Sequence, residues 1–215
     1  TQPDNETACI GDHVAVEFKT LTLGGTTTYD WVNTETGIGL AANGNGDISF
    51  QAQNAGTAPL TGLITVTPTF TNGGISCQGP AESFTITVNP SGQVNDPSDL
   101  AICNGTTVPE IVFGTVNTGG TTTFDWTNDL PGIGLAAAGT GNVPEFNAIN
   151  TGNSPVTAVI TVTPTFTNNG VSCTGTPEFF SILVNPSGQV NDVADQELCS
   201  GEETQVVLFS TTNLM

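Results

Sequence analysis

The feature that most constrains this chain is an internal repeat. GGTTTYDW at Gly24–Trp31 returns as GGTTTFDW at Gly119–Trp126, and GIGLAANGNG at Gly37–Gly46 returns as GIGLAAAGTG at Gly132–Gly141. ITVTPTFTN at Ile64–Asn72 and VNPSGQVND at Val88–Asp96 return unchanged at Ile160–Asn168 and Val184–Asp192. The first two pairs are offset by 95 residues (Gly24 to Gly119) and the last two by 96 (Ile64 to Ile160), so one residue is inserted near Pro144. A third copy begins, because Leu198-Cys199-Ser200-Gly201 matches Ile102-Cys103-Asn104-Gly105, and Val207-Leu208-Phe209 matches Ile111-Val112-Phe113. We divide the chain into repeat 1 (1–90), repeat 2 (91–186) and the incomplete start of repeat 3 (187–215). An isolated pair of strands is marginal in water. The third segment is therefore expected to need a neighbour, or to mark where a longer protein is cut.

Within a repeat the apolar residues recur every second position. Ile64, Val66, Pro68 and Phe70 alternate with Thr, and so do Phe84, Ile86 and Val88. That period describes strands with one buried and one solvated face, not helices. The spacing predicts seven strands per repeat. In repeat 2 these lie near Leu100–Cys103, Val108–Val116, Thr121–Thr127, Gly134–Ala137, Pro144–Ala148, Thr157–Phe166 and Phe179–Val184. Phe113 precedes Trp126 by 13 residues (113 to 126), a spacing close to that between second-strand core position and third-strand Trp in Ig-like sandwiches. Trp31 and Trp126 are accordingly expected in the core. Pro68 and Pro164, which lack a ladder donor, are expected at a frayed strand end or a bulge. The fold class read from these patterns is all-β, in tandem Ig-like sandwiches of about seven strands.

Composition narrows the function. The chain has 20 Asp plus Glu against a single Lys (Lys19), no Arg and one His (His13), for a formal charge of −19. Nucleic acid and anionic membranes both demand basic surface, so neither is a partner. No apolar run approaches the ~20 residues of a membrane-spanning helix. Five Cys in a chain this sparse in reactive residues indicate disulfides and an oxidising compartment. Catalysis finds no support. Asp30/Asp125 and Glu82/Glu178 recur at matched positions, yet nothing gathers them in one cleft, and His13 has no nucleophile in an elbow motif beside it.

The phrases CNGTT, GGTTTFDWTN, GIGLAAAGTG, PVTAVITVTPTFTNNGVSC and FFSILVNPSGQVND together resemble the PKD-like, Ig-like repeats of giant cell-surface adhesins of Bacteroidota. The likeness is greatest to the mobile gliding-motility adhesin exported by type IX secretion. The resemblance covers nearly the whole chain. It implies an extracellular, cell-surface filament used for attachment and carried along the cell by a motor. The partners it implies are neighbouring repeats, surface polysaccharide or substratum, and the secretion and motility machinery. It transfers no catalytic motif and no required cofactor. Two alternatives stand beside it: an accessory carbohydrate-binding or spacer module of a secreted enzyme, and a pilus-like subunit that exchanges strands. The first needs an exposed aromatic platform, and the second needs the chain to end near Met215.

The cysteines repeat as well: Cys9 and Cys77, Cys103 and Cys173, then Cys199. In an Ig-like fold Cys103 lies at the turn after the first strand, at the end from which the chain leaves. Cys173 lies between the last two strands, at the opposite end. A sandwich is roughly 30 Å tall at ~3.3 Å per strand residue, while a disulfide needs Cα atoms within about 7 Å. An inter-repeat bridge, Cys9–Cys173, is therefore favoured over the intra-repeat bridges Cys9–Cys77 and Cys103–Cys173. Cys77 would then pair with a preceding repeat, and Cys103 and Cys199 with later ones. Such staples would turn loose beads into a stiff rod. Pairing of Cys77 with Cys103, and free thiols, remain open alternatives. Asp96, Asp99, Asp192 and Asp195 cluster where repeats join, and Ca²⁺, which takes six to eight oxygens, is the ion such carboxylates could hold. The competing reading is a solvated acidic linker.

Overall fold

The structure is a computed structural model that describes residues 3–213, and its regular elements are almost all strands. By contacts it forms two compact units. The first holds the described residues up to Asn95 together with Gly114–Phe124 and Thr163–Pro177. The second holds Asp96–Phe113, Asp125–Val162 and the described residues from Glu178 onward.

Repeat 1 contributes β1 (Glu6–Cys9), β2 (His13–Val16), β3 (Thr26–Asn33), β4 (Asn43–Asn45), β5 (Ile48–Gln51), β6 (Leu60–Asn72), β7 (Ile75–Gln78) and β8 (Glu82–Asn89). Repeat 2 contributes β9 (Leu100–Cys103), β10 (Thr107–Val108), β11 (Thr121–Asn128), β12 (Ala138–Thr140), β13 (Phe146–Asn147), β14 (Val156–Asn168), β15 (Val171–Thr174) and β16 (Glu178–Asn185). In repeat 1 the larger sheet runs β1-β8-β6-β3-β4 with β7 beside β6, and β2 pairs with β5 in a small second sheet. Repeat 2 copies this order as β9-β16-β14-β11-β12 with β15 beside β14, plus β10-β13. The inward set of the period-two pattern makes the cores. Trp31, Ile64, Val66, Phe84, Ile86 and Val88 are buried in repeat 1; Trp126, Ile160, Val162, Phe180, Ile182 and Val184 are buried in repeat 2.

The structure has eight strands per repeat rather than the seven expected. The added one is β7 or β15, the second arm of a hairpin. Asn169 and Gly170 take φ of 50° and 76°, and Gly73 and Gly74 take 59° and 79°. Two consecutive left-handed residues form the tight reversal whose twist matches paired strands. Gly134–Ala137, expected as a strand, is instead the exit from a 3-10 turn at Pro131–Ile133. Gly134 has φ 93°, and a Cβ there would collide with the Asn147 carbonyl, so only glycine fits. The expected Val108–Val116 strand shrinks to Thr107–Val108 and an isolated bridge between Ile111 and Val143, with donorless Pro109 between them.

Pro68 and Pro164 sit neither at a frayed end nor at a bulge. Each lies inside a 13-residue strand. β6 pairs with β8 as far as Val66↔Glu82 and with β7 from Thr69↔Gln78, so Pro68 falls where the strand changes partner. Its carbonyl faces that side and accepts from Gly79 N at 2.8 Å, and in repeat 2 Gly175 N bonds the Pro164 carbonyl identically. The missing N–H points at the gap, where no ladder bond is lost.

Candidate functional site

The site is a covalent junction, and its geometry begins with one parallel pairing. β1 runs alongside β8 in register, Glu6 opposite Ile86 and Cys9 opposite Asn89. The first strand therefore ends where the last one does, so Cys9 lies at the end from which the chain leaves repeat 1. Cys173 lies not in a loop, as expected, but within β15, where it faces Phe166 in the ladder. The first compact unit brings the two together in a disulfide with Cα atoms 5.5 Å apart across 164 residues of sequence. Neither Cys9–Cys77 nor Cys103–Cys173 is formed; Cys77, Cys103 and Cys199 are free and exposed.

A shell of backbone-directed hydrogen bonds surrounds the bridge, all of it within the first unit. The Asn89 amide donates to the carbonyls of Asn168 (3.1 Å) and Val171 (3.3 Å), and its own oxygen accepts from Asn168 Nδ2 at 3.0 Å. Gly92 N donates to the Cys173 carbonyl at 3.1 Å. A Cβ on Gly92 would stand 2.6 Å from the Pro164 carbonyl oxygen, so the linker backbone lies directly on β14. Asn117 closes the other side: its oxygen accepts from Gln93 N at 2.6 Å, and its amide donates to the Ser91 carbonyl at 3.1 Å. Thr118 N adds a bond to the Thr57 carbonyl at 3.0 Å. Asn89 is buried and Asn117 and Asn168 are half-buried, and polar groups that find partners in this way hold the linker in one register.

Sequence reasoning missed Asn89, Asn117 and Asn168. The unchanged phrase VNPSGQVND carried the signal for Asn89, but it reads as a linker until the Asn is seen buried. The junction aspartates are not drawn into this shell. Asp96, Asp192 and Asp195 are exposed. Asp99 accepts from Ser181 N at 2.7 Å, and that bond, with a second from the Ser181 hydroxyl, holds its carboxyl below the ordinary 3.8. Among the described residues no group of three or more His, Cys, Asp and Glu side chains is gathered as a metal would require. Asp30, Asp125, Glu82 and Glu178 are exposed strand residues, and His13 Nε2 lies 3.0 Å from Ser49 Oγ. Both tryptophans are in the core: the Trp31 indole donates to the Gly46 carbonyl at 3.2 Å.

No family model matches the chain, and no curated protein matches it. Among solved structures it is similar to Sidekick-1 immunoglobulin domains 1–5, at 11% identity and a TM-score of 0.41 over 88% of this chain; it spans only 38% of that one. It is similar to human CDH23 EC21–23 at 10% identity and a TM-score of 0.41, over 87% of this chain and 74% of that one. A SusE-like surface-located polysaccharide-binding protein from Bacteroides thetaiotaomicron is similar at 10% identity and a TM-score of 0.30, over 87% of this chain and 34% of that one.

Proposed function

We propose that this chain is a non-enzymatic structural segment of an extracellular adhesive filament, in which successive Ig-like repeats are joined by disulfides across their linkers. The observation that carries the reading is the Cys9–Cys173 bond, which ties the first strand of repeat 1 to a hairpin of repeat 2. Disulfides of this kind persist in oxidising environments, which supports an extracellular location. Adhesion comes from the array: weak contacts to a surface polysaccharide or substratum, repeated along many modules, bind tightly without one deep site. Attachment to the cell surface, export by type IX secretion and transport by a gliding motor rest on the sequence resemblance alone. An accessory sugar-binding module would offer an aromatic platform, whereas both tryptophans are buried. Ca²⁺ at the aspartate junctions would be an addition to this scheme and not a requirement of it. The test is labelling of living cells with an antibody raised against the folded chain. Label on filaments that extend from the surface is the expected result; label only on soluble enzyme in the medium overturns it.

A further inference from the structure

The lateral edge of repeat 2 carries a groove that the disulfide junction does not use. β9 ends one sheet and β10 ends the other, and among the described residues neither strand is paired on its outer side. Two bonds set the direction of the backbone groups there. Asn104 N donates to the Asn185 carbonyl at 2.8 Å, so by alternation Leu100 and Ile102 bond β16, and the N–H and C=O of Ala101 point to the open side. Ala148 N donates to the Thr106 carbonyl at 2.8 Å, which turns Thr106 and Val108 to β13 and leaves Thr107 and Pro109 outward. Pro109 has no N–H, which blunts β10 against a further strand, whereas β9 contains no proline. Between the two edges is a hollow of about 520 Å³, walled by Leu100, Ile102, Val108, Pro109, Ile111 and Val112 among others. Val112 is 69% exposed. All of these walls belong to the second unit. Repeat 1 has a hollow at the matching edge, lined only by its own residues, but there Glu6 and Ala8 stand where Leu100 and Ile102 do. The groove is thus a property of one repeat, and its apolar floor is particular to repeat 2.

We propose that this groove binds an extended segment of another protein, carrying Lys or Arg between apolar residues, which adds as a strand to the free edge of β9. The inference goes beyond the filament reading and does not rest on it.

Three observations choose this occupant. The first is the edge itself: an extended peptide supplies the donor and acceptor that face the outward groups of Ala101, which is strand addition. The second is the apolar floor. Alternate side chains of an added strand point the same way, so one set of them fills the hollow while the other stays in water. The third is charge. The carboxylates of Asp96 and Glu110 line the hollow, and Asn142 Nδ2 holds Glu110 in place by donating to its Oε1 at 3.0 Å. Repeat 2 contains no Lys, Arg or His, because the chain's one Lys and one His are Lys19 and His13. A partner's cations therefore meet carboxylates with no positive group of this repeat against them. The same charge, −19 over the chain, opposes a second copy or an anionic glycan in the groove. A neutral glycan would leave the strand edge unused.

The experiment titrates the full chain with a dye-labelled synthetic peptide, Lys-Val-Lys-Val-Thr-Val-Lys, and reads fluorescence anisotropy and amide hydrogen exchange. Two control peptides accompany it: one has Ser for every Val and keeps the charge, and one has Glu for every Lys and keeps the apolar pattern. The expected result is saturable binding of the first peptide with slowed exchange at the Ala101 amide. Each control should bind about tenfold more weakly or worse, and the Asp96→Asn/Glu110→Gln chain should lose about tenfold in affinity for the first peptide. Gln at position 110 keeps an acceptor for Asn142. Absence of saturable binding overturns the proposal. Equal binding of the serine peptide overturns it too, since that is general attraction of a cation to an acidic chain. So does binding that leaves the Ala101 amide unprotected, or affinity unchanged by the double variant. Protection of Ala101 in the chain alone, growing with its concentration, would give the edge to a second copy and equally overturn it.

Discussion

Asparagine supplies most of the buried polar order. Asn128 donates to the Leu135 and Ala136 carbonyls (3.1 and 3.3 Å) and accepts from Leu130 N at 3.0 Å, closing the turn after β11. Asn33 does the same in repeat 1. Asn150 ties the loop before β14 to the Val184 carbonyl at 2.7 Å. Asn128→Ala removes three partners at once and should cost about 1–3 kcal/mol for the stranded groups, read from a urea unfolding midpoint. Asp99 gives a pH test with a defined sign. Its folded carboxyl is held below the ordinary value by Ser181, so the stabilisation is present above about pH 4 and is lost as pH falls through the lowered folded value. Asn5 makes the equivalent bond to Thr85 N at 2.8 Å without a charge. Asp99→Asn should therefore keep the contact and flatten the melting temperature between pH 5 and pH 2; an unchanged slope would refute the assignment. The tryptophans were legible in the sequence because alternation alone puts them inside. The asparagine roles were not, because a side chain reaching a carbonyl seven residues away leaves no period to read.

At the scale of elements, the long central strands were legible and their partners less so. Ile64–Asn72 alternates cleanly, but a period of two cannot show that one strand serves β8 along one half and β7 along the other. That division explains both the unexpected eighth strand and the tolerated proline. β4 and β12 were equally hard to see, because their glycines are selected by a neighbour. A Cβ on Gly139 would fall into the Trp126 ring, within 2.6 Å of Cε2, and Gly44 stands against Trp31 in the same way. Gly139→Ala should overpack the contact and cost about 1–3 kcal/mol, with a matching fall in melting temperature and a perturbed Trp emission spectrum. A neutral result would mean that the strand can move aside, and that the glycine serves only the turn at Gly141, whose φ is 71°.

At the scale of the whole chain, the consequence is one of connectivity. The Cys9–Cys173 bond closes a loop of 164 residues, and loop-closure entropy alone assigns such a link at most about 5 kcal/mol. Cys9→Ser should lower the stability of the first unit toward that limit, whereas Cys199→Ser, at an exposed free thiol, should leave it unchanged; denaturant titration under non-reducing conditions separates them. The strong negative charge fits the same picture, since near-identical neighbouring repeats are prone to pair wrongly during folding and like charge opposes their association. The sequence narrowed the bridge to a few pairings from strand height, without showing the parallel β1–β8 pairing that carries Cys9 to the leaving end. The most direct test of the account is peptide mapping of the unreduced protein after cleavage at Asp and Glu, because a chain with one Lys and no Arg offers trypsin almost nothing. The account requires a peptide pair joined through Cys9 and Cys173. Cys9 joined to Cys77, or recovered as a free thiol, would contradict it.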